Sequence, residues 1–420
     1  MSLQQVLRRL TALVLTCGIL TGCGKKAAPA NNTPAGPAGS EVPAAARRSG
    51  PPAAPALPEL DERRIAADER RGIRFSADKR TLLKYDRNLP DTGYAIPEGV
   101  TAIGRAAFKD CNNLTGIRIP ASVENIGEEA FMGCGDVEEL TIPAGVKSIG
   151  DGAFSYCLKV TVSPDNARYF TDEAGALIDR EGKRLLYLPR NFNGEYTVPG
   201  GVKSIGASAF EKIIYLTAVN LHDGVTEIGE SAFFWCVGLT ELNIPAGVTR
   251  IGESAFVKCR KVAVSPDNAR YFTDEAGALI DRKERKLLYF PPDFQGEYAV
   301  SAEVTEIGGS AFLCCELAGV RLPPSVTAIG ESAFDGCENL TKAMIPYGVA
   351  IIGVEAFQDC GKLTDVMLPP TVTAIGKNAF KGCGELKRMT IPVSVKSIGE
   401  SAFAGCPCEA SVKQQFPNYR

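Results

Sequence analysis

A chain of 420 residues, 45% hydrophobic and 23% charged, has the length and composition of two or three globular domains. Its net charge of -3, with Lys and Arg scattered among Asp and Glu, forms no basic stripe and argues against a nucleic-acid partner. The single histidine, His222, excludes His-based catalytic triads and most His-containing zinc or iron sites.

The chain opens on two basic residues, Arg8 and Arg9, followed by an apolar run over residues 10–20 that is too short to span a bilayer stably. The run ends in Leu20-Thr21-Gly22-Cys23, which resembles a bacterial lipobox. The resemblance implies a signal peptide over residues 1–22, cleaved before Cys23, and lipid attachment at Cys23. In lipoproteins of this kind an Asp after the cysteine favours the inner membrane. Gly24 stands there instead, so the resemblance implies the outer membrane or cell surface. Residues 23–58 are rich in Ala, Pro and Gly, bury too little to order themselves, and read as a tether. Residues 59–71 place acids before bases among good helix formers and predict a short, solvated helix. Residues 75–85, with a polar turn at 76–80, predict a hairpin, so that 59–100 forms an N-terminal cap.

From residue 101 to 408 one phrase recurs: Ile-Gly-x-x-Ala-Phe, usually with Cys at the third position after Phe. It starts at Ile103, Ile126, Ile149, Ile205, Ile228, Ile251, Ile307, Ile329, Ile352, Ile375 and Ile398, eleven times and mostly 23 residues apart. Such a period predicts stacked coils that share a core. Within one unit, Ile117-x-Ile119 alternates as a half-buried strand does, and Pro120 ends it because it has no N–H for a ladder. Val123 and Ile126 add inward apolar groups. Gly127 serves either a positive φ or a close approach between coils. Phe108, Phe131 and Phe154 should form a column.

This pattern is similar to the BspA-like, or treponemal-type, bacterial leucine-rich repeats over about residues 75–408. The fold class it implies is an α/β-type or mostly β solenoid: a curved stack with one parallel strand per 23-residue repeat and inserted β-hairpins. The resemblance also implies adhesion.

Two long steps interrupt the period, Ile149 to Ile205 and Ile251 to Ile307, each 56 residues. Both contain the same text, since residues 162–180 match residues 264–282 throughout. Ile103, Ile205 and Ile307 are therefore spaced by 102, which reveals a larger duplicated unit. Apolar runs at 176–178 and 185–188 around a polar turn predict hairpin inserts at about 162–198 and 264–300, added without breaking the stack. Cys406-Pro407-Cys408 closes the last repeat, and residues 409–420 read as a C-terminal cap.

Ten of the fourteen cysteines occupy the third position after Phe, and Ile213 fills the same slot once. That exchange points to buried free thiols serving as compact apolar groups. Export would also permit disulfides, through the irregular Cys314 or Cys408 before the in-register ladder. Asp165, Asp172 and Glu173, with Asp267, Asp274 and Glu275, lack calcium-loop spacing and have turn composition, so no metal and no cofactor is expected. No nucleophile or acid–base pair stands out, and no enzyme is expected.

The recognition candidates are the solvated strand positions. Arg118, Thr141, Asn220, Asn243, Arg321, Met344 and Met367 form one row, and Glu139, Glu241, Lys342, Asp365 and Arg388 a second beside it. Met344 and Met367 stand where a solvated strand usually carries Thr or a charge, which suits adaptable protein contacts. The expected function is a surface-anchored lipoprotein that binds host extracellular-matrix or other cell-surface proteins. The alternative is a structural envelope protein acting through self-association.

Overall fold

The computed structural model describes residues 59–417 and Tyr419; the signal segment, Cys23 and the tether lie outside these. The described residues form a β-solenoid of about 14 turns with very little helix. Each regular coil has three sides, and one unit shows why. Apolar alternation around Ile117 makes the strand Gly116–Arg118, which pairs in parallel with Gly93–Ala95, placing Ile117 beside Tyr94. Pro120 stops that strand and the chain turns. Asn125–Ile126 then forms a second, two-residue strand between Ala102–Ile103 and Ser148–Ile149, again parallel. The third side is a stack of turns in which the Phe108 N–H donates to the Ala130 carbonyl at 2.7 Å and the Ala106 N–H to that of Glu128 at 2.8 Å. Each regular coil thus holds a second strand, at Val-x-x-Ile, beyond the one the periodicity marks.

The structure decides the role of the phrase glycine in favour of close approach. A Cβ on Gly127 would lie 2.7 Å from the Arg105 nitrogen, and one on Gly252 only 2.3 Å from the Glu230 nitrogen. The positive φ sits elsewhere, at the third residue after each Ile and the second after each Phe, for example Ala106 and Asp110, Ser231 and Trp235, Ser254 and Lys258. Most of these residues are not glycine. Left-handed geometry costs an L-residue roughly 1–2 kcal/mol, and the turn-to-turn hydrogen bonds of the third side offset that cost.

Inside the coils the rings stack as a column. Phe312, Phe334, Phe357, Phe380 and Phe403 follow one another at 4.7, 5.0, 5.4 and 5.4 Å, with planes within 14°. The column changes at each insert, where Phe154 meets Tyr187 edge-on at 6.4 Å and Phe256 meets Tyr289 at 6.3 Å. The antiparallel hairpin of Leu177–Asp179 and Arg184–Tyr187 is present, with Tyr169–Thr171 added as a third antiparallel strand. Its side chains divide between two cores: Leu177, Leu186 and Tyr187 face the first, Ile178, Leu185 and Leu188 the second. The second insert repeats this, with Leu279 and Tyr289 on one face and Ile280, Leu287 and Phe290 on the other. Each insert is therefore a wall between blocks.

The strand ladders break at these walls, while the stack of coils continues past them. The two-residue strands and hairpins form separate sheets of 5, 6 and 8 strands, and the outer strand of each insert makes no ladder with the two-residue strand of the preceding coil, although two antiparallel steps return it to the direction of the coil strands. On the turn side the insert adds nothing, and the flanking coils touch directly. Ser155 Oγ donates to the Ser208 carbonyl at 3.0 Å, and Lys258 Nζ to that of Cys314 at 2.8 Å.

Helix α1, Glu62–Arg70, starts at Asp61, whose side chain accepts the Arg64 N–H, and it buries Ile65 and Asp68. The Asp68 carboxylate accepts Tyr94 O–H at 2.7 Å and Arg64 Nε at 3.2 Å. At the other end helix α2, Glu409–Gln415, buries Val412, and Tyr419 closes the ring column edge-on at 6.0 Å while its hydroxyl accepts the Phe403 N–H.

Candidate protein-binding face

The alternation of the three-residue strands turns one residue in two toward solvent, and the structure exposes the residues the sequence picks out there. Arg118, Thr141, Asn220, Asn243, Arg321, Met344 and Met367 are exposed, as are Glu139, Lys342, Asp365 and Arg388, while Glu241 is half-buried. Arg388 alone among the rows departs from regular geometry, because the last coil has no three-residue strand. Register brings Met344 beside Met367 and Lys342 beside Asp365 on adjacent parallel strands.

The face has two zones. In the first, charges and polar groups close on neighbours: Arg118 on Glu98 at 3.3 Å, Glu139 on Lys159 at 2.9 Å, Glu241 on Lys261 at 3.1 Å, and Thr141 on Thr161 at 3.2 Å. The Lys159 and Thr161 hydrogen bonds hold the Glu139 carboxyl below its ordinary range. An open groove of about 700 Å³ runs here, lined by Tyr94, Ile117, Arg118, Glu139, Thr141 and Pro143. In the second zone, Arg321, Lys342 and Arg388 have no carboxylate partner among the described residues, and Met344 and Met367 are 62% and 57% exposed. The sequence reading missed Tyr347, 72% exposed at the corner after Pro346, and Ile351 on the next side of the same coil. Their signal was a large apolar residue where most other coils carry Ala, Gly, Pro, Ser, Asn or a charge.

Elsewhere the side chains serve the stack. All twelve described cysteines are free, including Cys314 and Cys408, and the regular ladder is buried. Each ladder thiol after the first donates to a carbonyl of the preceding coil, as Cys134 does to Phe108 at 3.0 Å and Cys360 to Phe334 at 3.1 Å. The slot thus uses an S–H as well as a compact bulk. Burial pushes the Cys236 thiol up to about 12 and that of Cys314 up to about 11, so neither is a nucleophile at neutral pH. In the inserts, Asp172 accepts the Ala174 and Ala176 N–H groups and the Tyr196 hydroxyl, which commits its carboxylate to the turn. No group of three or more His, Cys, Asp or Glu among the described residues is arranged to hold a metal. Asp335, on the turn side, is 3% exposed; its Oδ1 accepts from Gln358 Nε2 at 3.4 Å and its Oδ2 has no partner. Burial, and then the charge of Asp359, push its carboxyl up to about 7.

Stacked 23-residue coils with an outward strand face and a Phe column define a leucine-rich-repeat solenoid, a scaffold whose variable surface is its strand face. The chain belongs to the BspA type leucine rich repeat family, which matches in six copies over residues 88–174, 191–270 and 296–409. Among solved structures it is similar to a leucine rich cell surface protein from Faecalibacterium prausnitzii A2-165, at 26% identity over 78% of this chain and 92% of that one, with a TM-score of 0.44. It is similar to the pneumococcal vaccine antigen PcpA at 20% identity over 78% and 72%, TM-score 0.41. A leucine-rich-repeat protein from Bacteroides ovatus matches at 24% identity over 80% and 90%, TM-score 0.35. No curated protein matches the chain. No described helix is long and apolar enough to cross a membrane.

Proposed function

We propose that this chain is an anchored surface protein that binds other proteins, in adhesion or host contact, through the outward face of its three-residue strands. The observation that carries the reading is the pair Met344 and Met367, held side by side by strand register and more than half exposed. Two large flexible apolar side chains in water, on a backbone fixed by a parallel ladder, are a contact surface ready to adapt to a partner. Anchoring is assigned to lipid on Cys23 after removal of residues 1–22, at the outer membrane or cell surface, from the sequence features around that cysteine. The test is binding of the full chain to immobilised extracellular-matrix proteins, before and after the double change Met344→Lys and Met367→Lys. Binding should fall at least tenfold with the melting temperature held. Equal binding by both forms removes this face from the proposal, and binding by neither removes matrix proteins as partners.

A further inference from the structure

The two zones of the strand face differ in chemistry, and the difference describes a partner. Up to the second insert, cations on the face meet carboxylates on the adjacent strand. On the last four coils the outward rows carry Arg321, Lys342 and Arg388 against a single acid, Asp365, and none of the three cations is paired among the described residues.

Beside these cations, on the side that follows them along each coil, lies an apolar strip two residues wide. One row is Met344 and Met367. The other is the corner three residues further along each coil, occupied by Tyr347, Pro370 and Val393, with Val393 fully exposed at 101%. Earlier coils hold Ala121, Ala144, Pro164, Asp223, Ala246 and Pro266 at that corner, so the large exposed apolar residues there, Tyr347 and Val393, belong to the end of the stack. An apolar strip with an unpaired cationic margin is the opposite of what a merely solvated strand face carries.

We propose that this corner of the last coils docks an acidic segment of another protein, anchored by apolar side chains beside its carboxylates. The inference rests on the protein-binding reading above and narrows it to a partner chemistry and a place. A second copy fits poorly, because a two-fold contact sets the same cations against one another. An anionic lipid surface fits poorly as well, because Asp365 sits inside the cationic margin. Carboxylates on the partner would complete the missing pairs, speed encounter, and make binding weaken with salt.

The experiment pans a random-peptide phage library on the full chain and measures the recovered peptides by titration. The expected peptides carry at least two Asp or Glu beside at least two bulky apolar residues. Their affinity should fall tenfold or more on the triple change R321E, K342E, R388E, and likewise on M344S with M367S. It should hold with Lys203→Glu, an exposed cation on another side of the coil. These exposed changes leave the core untouched, and thermal melts of each variant check the fold. Peptides that depend on the methionines and ignore the triple change overturn the acidic partner while the protein-binding face stands. Peptides that ignore both sets overturn both. Methionine-dependent uptake onto phosphatidylglycerol vesicles, with no peptide recovered, replaces the protein partner by a lipid surface.

Discussion

Asp335 shows how a single residue can tie this fold to pH. Its carboxyl lies on the turn side among Asp359, Glu355 and Gln358, is 3% exposed, and has an orphaned Oδ2. In the unfolded chain an Asp titrates near about 3.9; here burial first, and Asp359 next, raise it to about 7. The folded state therefore holds the extra proton between those values. Its contribution to stability is fully present below pH ~4 and is lost as pH rises through ~7, at about 1.4 kcal/mol for each pH unit in between. Asp335→Asn keeps the shape and removes the titration, so urea midpoints of the variant should gain on the wild type from pH 5 to pH 8. Parallel pH profiles for the two proteins would discount Asp335 as the source. The same scale shows what sequence could not decide. Both a positive φ and a tight approach select glycine, and only the stacked neighbour, Gly104 beneath Gly127, says which. A cysteine exchanged for Ile213 reads as bulk, and its S–H bond to the coil below becomes visible only once the coils are aligned.

At the scale of the element, the inserts carry the greatest mechanical consequence. Each hairpin is buried on both faces, and its turn is fixed by one carboxylate. Asp281 accepts the Lys283 and Glu284 N–H groups and pairs with Arg270 at 2.7 Å while only 1% exposed. Removing one member of such a buried pair costs about 3–5 kcal/mol. Because the wall serves two cores, Asp281→Ala should lower amide protection on both sides of it, in residues around Phe256 and around Phe312, and spare the first block around Phe131. Loss confined to one side would show that the wall is not shared. The hairpin itself was legible, since two apolar runs around a polar turn need no tertiary information. Its role as a wall was not, because one sequence cannot show that Leu177 and Ile178 face different cores. The two-residue strands were hidden for a related reason: two residues are too few to display alternation, and only the parallel neighbours reveal them.

For the whole molecule, the repeat alone yielded the class of fold, while the candidate face was legible only as rows of outward residues. Its division into a self-paired zone and an unpaired zone depends on which charges meet across strands, and that follows from register. In the order of the chain Cys23, the proposed anchor, precedes every coil, and the proposed docking corner belongs to the last ones. Anchoring is open to a direct check. With labelled palmitate the full chain should incorporate lipid and sediment with membranes, and Cys23→Ala should do neither; lipid incorporation that survives the change would reassign the anchor.

The doubled wall has one more consequence, for how such a chain changes length. Residues 162–180 and 264–282 are the same nineteen residues, and both lead into a wall that presents equivalent faces to the coils on either side. An exchange between them, at any point within the shared text, removes or adds one block of 102 residues and leaves an unchanged junction. A chain shortened or lengthened by such an exchange would change by a whole module and keep both its first coils and its last ones unaltered.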